Sequence, residues 1–314
     1  MAQQFRASQR RRSSSSVAPG SDAHDRADAI TSRDNKWLKL FRAALRGTGP
    51  SQGDPIGVEG PKLVENALRS GLEAEALLLS ETGEREAERI LRAAGESEAG
   101  IPQSRILRTT DNLFEGVAGT DAPQGIAALF RQRSWGFDDV LRGSAAVRES
   151  SALVIVLAAV QDPGNVGTIL RSAEAFGATG VVAGRGTADP WSPKALRASA
   201  GSALRLPVLR GITIPGLLAQ LRIAGVKIYA ASSASRRDAD AAASVVEDVD
   251  LREPAAIFIG NEGSGVPAEV TRAADAMISI PTSDSVESLN AGVAASILLY
   301  EAAKQRQKAA SGRS

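Results

Sequence analysis

The chain has 314 residues, 43% hydrophobic and 23% charged, and its 37 Lys and Arg against 36 Asp and Glu give a net charge of +1. At roughly 100–200 residues per domain that length suggests about two domains, in the composition range of ordinary soluble proteins rather than of polycations. Cysteine is absent and His24 is the one histidine. Disulfides, thiolate nucleophiles and cysteine metal sites are therefore excluded, no metal is expected, and any chemistry falls to Asn, Ser, Glu, Arg, backbone groups or a cofactor.

Residues 1–28 are rich in Ser, Arg and Gln and nearly free of large apolar residues, so they read as a disordered basic tail. Arg6, Arg10, Arg11, Arg12, Arg33, Lys36, Lys39, Arg42 and Arg46 crowd the first fifty positions. Such a zone suits a polyanionic partner. The Arg/Ser-rich start resembles an organelle transit peptide, but acidic residues arrive by Asp22, and it has no apolar h-region. No apolar run approaches the ~18–20 residues that span a bilayer, so the protein is expected to be cytoplasmic, with no membrane partner.

From Thr31 the pattern turns periodic. Trp37, Leu38, Phe41 and Leu45 recur at helical spacing. A Gly/Pro/Ser loop over 47–53 leads to a short strand at Ile56-Gly57-Val58 and a helix with Pro61 in its first turn. Strands are predicted over 74–79, 105–107 and 124–130, with helices over 84–94 and 110–117. This alternation describes a compact α/β domain. Residues 131–150 are polar and read as a connection, so the predicted units are a tail at 1–28, a first domain at 29–132, a linker at 133–150 and a second domain at 151–314.

Leu153 to Val160 is a continuous apolar run, the pattern of a strand buried on both faces of a parallel sheet. Similar runs are 180–183, 226–230, 256–259 and 276–280. Helical patterns separate them, with Val166, Ile169, Leu170 and Ala173 on one stripe, and Val293, Ala294, Ile297 and Leu298 on another in a last helix over 291–307. The fold class predicted for this half is a doubly wound parallel sheet with helices on both faces.

Three polar or glycine-containing segments follow directly on buried strands. In open α/β sheets ligands bind beyond the carboxyl ends of the strands, so the three should converge. The first runs Gln161-Asp162-Pro163-Gly164-Asn165 to Arg171, with Asn165 placed as the helix N-cap and Arg171 roughly opposite the apolar stripe. Alone it would be an ordinary cap with a solvated arginine. The second, Gly260-Asn261-Glu262-Gly263-Ser264-Gly265, has the tight turns that let backbone approach a ligand. It is neither a dinucleotide fingerprint nor a P-loop. The third, Ile280 to Asn290, is more polar than a plain β–α turn needs, and Ser288 and Asn290 both suit a helix N-cap.

Taken together and in this order, the three segments resemble the three motifs of the SpoU (TrmH-like) family of RNA ribose 2′-O-methyltransferases, in the SPOUT superfamily. Trp191-Ser192-Pro193-Lys194-Ala195-Leu196-Arg197-Ala198-Ser199-Ala200-Gly201-Ser202 resembles a stretch between its first two motifs. A weaker resemblance, in Ile30-Thr31-Ser32-Arg33, Val58 to Val64 and Pro123 to Ile126, is to the L30e-like substrate-binding domain found before SpoU domains. The resemblance implies an α/β knot whose carboxyl-terminal segment threads a trefoil, and S-adenosylmethionine as methyl donor. It implies ribosomal or transfer RNA as acceptor, and a homodimer with the active site at the interface.

The resemblance also implies roles. Arg171 would clamp a phosphate and stabilise charge developing on the 2′-oxygen, with Asn165 holding its geometry, since an arginine is a poor proton acceptor. Glu262 would orient Arg171 or the ribose, and Ser288 and Asn290 would position acceptor and donor. Gly260, Gly265, Ile280 and Leu289, with Ala231, would cradle the cofactor. Arg33, Lys36 and Lys62 would contact RNA. Rival readings are an RNA base methyltransferase of another SPOUT branch, a non-catalytic RNA-binding or ribosome-assembly protein, and a small-molecule α/β enzyme using another nucleotide.

Overall fold

The computed structural model describes residues 29–51, 53–95, 105–144, 151–232, 243–283, 285–286 and 288–311. The predicted tail at 1–28 and residues 145–150 lie outside them.

The amino-terminal domain begins with α1 (Lys36–Arg46), capped by Asn35, whose side chain accepts from the Trp37 N–H at 2.8 Å. Then follow β1 (Ile56–Glu59), α2 (Pro61–Arg69), β2 (Ala74–Ser80), α3 (Glu84–Gly95), β3 (Ile106–Thr109), α4 (Asp111–Glu115) and β4 (Ile126–Phe130). The four strands form one sheet in the order β1-β4-β2-β3. β4 runs antiparallel to both neighbours and β3 parallel to β2. One face of this sheet packs on Leu38, Phe41 and Leu45 of α1 and on Phe114.

A short helix, α5 (Phe137–Arg142), stands where the sequence reads as a polar connection. Its Val140 is fully buried against the larger sheet, with Phe137 and Leu141 packed beside it, a contact that three apolar residues among charged ones do not announce.

The larger domain contains β5 (Leu153–Ala158), α6 (Pro163–Ala175), β6 (Gly180–Gly184), α7 (Pro193–Ala198), β7 (Val208–Ile212), α8 (Ile214–Ile223), β8 (Lys227–Ser232) and β9 (Ala243–Val245). β10 (Ala255–Gly260), α9 (Ala268–Ala273), β11 (Ala276–Ser279) and α10 (Ala291–Ser311) complete it. Its seven strands lie in the order β7-β6-β5-β10-β8-β11-β9, and every pairing is parallel. The doubly wound prediction holds.

Side-chain alternation along β5 explains its unbroken apolar run. Leu153, Ile155 and Leu157 face a core built with α6 and α10, whereas Val154 and Val156 face one built with α8 and α9. Both faces are dry, so neither can be polar. The α6–α10 core also takes in Val58, Val64 and Leu68, so apolar packing is continuous from one domain to the other. Among the described residues no helix is long and apolar enough to cross a membrane.

Candidate active site

In the sheet order, β5, β10, β8 and β11 are consecutive and parallel, so their carboxyl ends lie side by side. The segments after β5, β10 and β11 are the three singled out in the sequence, and Ala231 stands near the end of β8. The topology thereby places all of them at one edge of the sheet.

The exit from β5 is strained. Ala159 has φ +64°, a left-handed conformation that a non-glycine residue adopts at a cost of about 1 kcal/mol or more. Both its backbone groups are held. Its N–H donates to Thr187 Oγ1 at 3.2 Å, and its carbonyl accepts from Asn261 Nδ2 at 3.0 Å. Asn261 therefore ties the second loop to the start of the first. Its Oδ1 also accepts from the Gly263 and Ser264 N–H groups at 2.9 and 3.1 Å, closing a turn that brings Gly265 back against it. A Cβ on Gly260 would sit 2.2 Å from the Gly265 carbonyl carbon, so only glycine permits this closure.

The N-cap of α6 is Asp162, not Asn165 as the sequence suggested. Asp162 Oδ2 accepts from the Asn165 N–H at 3.2 Å, Pro163 opens the helix, and Asn165 lies in its first turn. A hydrogen bond from Lys194, then one from the Gly164 N–H, hold the Asp162 carboxyl below its ordinary pKa. Asp162 followed by Pro163 is an equally good helix start in the sequence, and the structure selects it.

Freed from capping, the Asn165 side chain is buried, 9% exposed, and bonded at both ends. Its Nδ2 donates to Glu262 Oε1 at 2.8 Å, and its Oδ1 accepts from Asn290 Nδ2 at 2.9 Å. Asn290 Oδ1 in turn accepts from the Gly292 and Val293 N–H groups at 2.9 and 3.3 Å, so Asn290 is the cap of α10. One chain of hydrogen bonds thus runs from the amino end of α10 through Asn290 and Asn165 to Glu262, joining all three loops. Glu262 keeps its second carboxylate oxygen for another donor.

The other predicted residues fall outside this chain. Arg171 is exposed on α6 and has no hydrogen-bond or ion-pair partner among the described residues. Six residues of helix turn it about 120° away from Asn165 and carry it ~9 Å along the axis. Ser288 is exposed and does not cap α10. Ile280 and Ala231 are half-buried on the core, and Leu289 is half-buried. Gly265 has φ +69° and opens on free space, with nothing within 4 Å of a Cβ placed there. Arg33 donates to Asn112 at 3.2 Å, Lys36 lies 5.9 Å from the centre of the Trp37 ring, and Lys62 is exposed, all in the amino-terminal domain. Asn261 was not among the predicted residues, although an Asn two positions before a glycine is a turn-forming signal.

Residues 152–300 match the SpoU rRNA Methylase family, and residues 54–128 match the MRM3-like substrate binding domain. The 23S rRNA (guanosine(2553)-2′-O)-methyltransferase RlmP of Bacillus subtilis is 34% identical over 265 residues, 84% of this chain and 93% of that protein. An AdoMet-bound rRNA methyltransferase from Sinorhizobium meliloti superimposes with a TM-score of 0.72 at 28% identity, covering 88% of this chain and 97% of that one. The SpoU methyltransferase AviRb from Streptomyces viridochromogenes, in complex with AdoMet, gives 0.70 at 26% identity over 87% and 100%. These matches show that the chain belongs to the SpoU rRNA methylase family.

Proposed function

We propose that the protein transfers a methyl group from S-adenosylmethionine to a ribose 2′-hydroxyl of ribosomal RNA in the cytoplasm. The hydrogen-bonded chain Asn290–Asn165–Glu262 carries this reading, because it locks the three motif loops into one surface. The loops fit the cofactor. Ala231, Ile280 and Leu289 offer half-buried apolar surface, and Gly265 has nothing within 4 Å of a Cβ placed on it. When bound, the cofactor supplies an electrophilic methyl on a sulfonium.

What remains for the protein is to orient the hydroxyl and to stabilise the charge that grows on its oxygen. Glu262, fixed through one oxygen by Asn165, presents the other as an acceptor for a ribose hydroxyl. Ser288 is placed on the third loop to position the acceptor. Arg171, with five donors and no partner of its own among the described residues, is suited to clamp a phosphate beside the reacting oxygen.

Arg171 lies about 120° around α6 from Asn165, which supports a role at the site of a second subunit. The exposed apolar stripe of α10 supports a dimer face on the same pair of helices. Val293, Ile297 and Tyr300 are 46%, 36% and 55% exposed at i, i+4 and i+7 on α10. α10 packs along α6, with Ser296 Oγ 2.7 Å from Ser172 Oγ. The trefoil threading of the family accords with Gly260 closing on Gly265 and with Gly292 set against Thr168.

The test maps 2′-O-methyl sites in total RNA with and without the gene, alongside calorimetry of S-adenosylmethionine binding. One ribosomal site vanishing with the gene is the expected result. A lost methyl on a base, or on transfer RNA alone, refutes the assignment, and failure to bind the cofactor favours a non-catalytic RNA-binding role.

A further inference from the structure

A cleft of about 700 Å³ separates the two domains and opens beside the first motif. One wall is formed by residues 45–48 and 118–121. The other is Gln161 to Pro163 together with α7. Both walls are braced. Arg46 donates to the Ala118 and Glu115 carbonyls at 2.7 and 3.0 Å, and Glu59 Oε2 accepts from the Gly119 N–H at 2.7 Å. α7 is pressed onto α6 at Gly167, where a Cβ would meet the Ala195 carbonyl oxygen at 2.5 Å. Lys194 of α7 reaches Asp162, the α6 cap, at 2.7 Å.

The charge in the cleft is not balanced. Of its charged lining side chains, Asp189 is taken up by Arg210 and Lys194 by Asp162. That leaves Arg46 and Arg197 against Asp121. Arg46 binds only neutral carbonyls, so its charge persists. Arg197 is exposed and has no hydrogen-bond or ion-pair partner among the described residues. Among the described residues no aromatic side chain lines the cleft, so they offer nothing for bases to stack upon. Its volume lies within the roughly 300–1,000 Å³ of ligand sites, room for a short stretch of strand.

We infer that this cleft holds the phosphate backbone of the RNA strand flanking the target nucleotide, with Arg197 as its principal phosphate contact and Lys194 coupling the occupied cleft to the first motif. It supplies affinity without reading sequence, because its cations meet phosphates and it has no platform for bases. The choice of target then rests on other surfaces. The inference builds on the RNA methyltransferase reading and deepens it.

The test uses the full-length protein and a labelled single-stranded polyuridylate, with binding followed by fluorescence anisotropy across a salt series. Arg197→Glu should weaken binding at least tenfold and reduce the slope of log affinity against log salt by about 0.7, one single-strand phosphate contact. Arg197→Lys should keep most of the affinity. Asp121→Asn, on the opposite wall, should tighten binding, so loss of fold in the glutamate variant still leaves a change of opposite sign to measure. Calorimetry with S-adenosylmethionine should match the wild type in all three. Unchanged affinity and slope in both Arg197→Glu and Asp121→Asn overturn the cleft, as does a wild type that ignores polyuridylate at low salt. A wild type that binds the strand but transfers no methyl to an in vitro transcript of the host's 23S rRNA overturns the enzymatic reading instead.

Discussion

Replacing Asn165 by aspartate changes one atom group in the chain that joins the three loops, and the structure sets the size of the effect. The oxygen that accepts from Asn290 is preserved. The group that donated to Glu262 at 2.8 Å becomes a second carboxylate oxygen. At that separation two unit charges repel by roughly 6 kcal/mol at an effective dielectric constant of 20 and ~1.5 kcal/mol in bulk water. Glu262 is exposed, so the lower part of that range applies. Losing a hydrogen bond to a charged acceptor adds about 1.5–3 kcal/mol. Against such a penalty the loops part, and a displacement of ~1 Å at a reacting centre costs on the order of 100-fold in rate. We expect Asn165→Asp to cut kcat for methyl transfer to that extent at about pH 8. Partial recovery should follow in mildly acidic buffer, as the facing carboxylates take up a shared proton. Asn165→Ala should lose rate without that recovery. Adding Glu262→Gln to Asn165→Asp restores a donor facing an acceptor with its direction reversed. The double variant should regain at least half of the thermal stability that the single one loses, the coupling expected of residues in contact. An aspartate variant equal to the wild type, or a double variant no more stable than the single, would show that the contact does not hold the loops together.

The outward face of the larger domain makes further predictions. Arg171→Ala should abolish turnover while leaving cofactor affinity and melting temperature near wild type, since the side chain has no partner among the described residues to lose; near-normal turnover refutes its role. Ile297→Asp, in the middle of the exposed α10 stripe, should convert a dimer into a monomer by light scattering and remove activity with it; an unchanged mass places the interface elsewhere. Glu174 tests acid stability: burial pushes its pKa up, but hydrogen bonds from Arg205 and Ser202 outweigh this and hold the carboxyl below 4.5. A depressed carboxyl stabilises the fold fully above that ordinary value and loses its contribution as pH falls through the folded-state value. Glu174→Gln should thus lower the melting temperature at neutral pH, and the gap to wild type should narrow in acid.

Much of the architecture was legible in the sequence because its signals are local. Val154 and Val156 alternate with Leu153 and Ile155 in a run that only a strand dry on both faces can hold, and Pro61 opens a helix where it should. The site was legible as segments rather than as contacts. Asn165 stood out, yet its partner was not visible, because Glu262 lies 97 positions away and the pairing depends on β5 and β10 being sheet neighbours. Capping was misassigned for a related reason. Asn165 and Asp162 both suit a helix start, and only the buried, doubly bonded state of Asn165 decides which one caps. Asn261 escaped notice because a turn-forming residue in a glycine loop has an ordinary explanation, until its second bond to the strained Ala159 carbonyl is seen.

The proposed site has two unlike parts, and their separation predicts how damaged subunits complement one another. Asn165, Glu262 and Asn290 are mutually bonded and need no second subunit to be placed. Arg171 lies on the same helix as Asn165 but is exposed, and α10, which packs along that helix, exposes Val293 and Ile297. If Arg171 completes the neighbouring subunit's site, two differently damaged chains can repair one another. A chain with Arg171→Ala and a chain with Asn165→Asp are each inactive as homodimers. In the mixed dimer, the site built on the Arg171→Ala chain has an intact loop cluster and receives Arg171 from its partner. Equal mixing places half the molecules in that form, with one good site of two, so about a quarter of wild-type turnover should return. Were Arg171 to serve its own chain's loops, neither site in the mixed dimer would be whole, and the mixture would stay inactive.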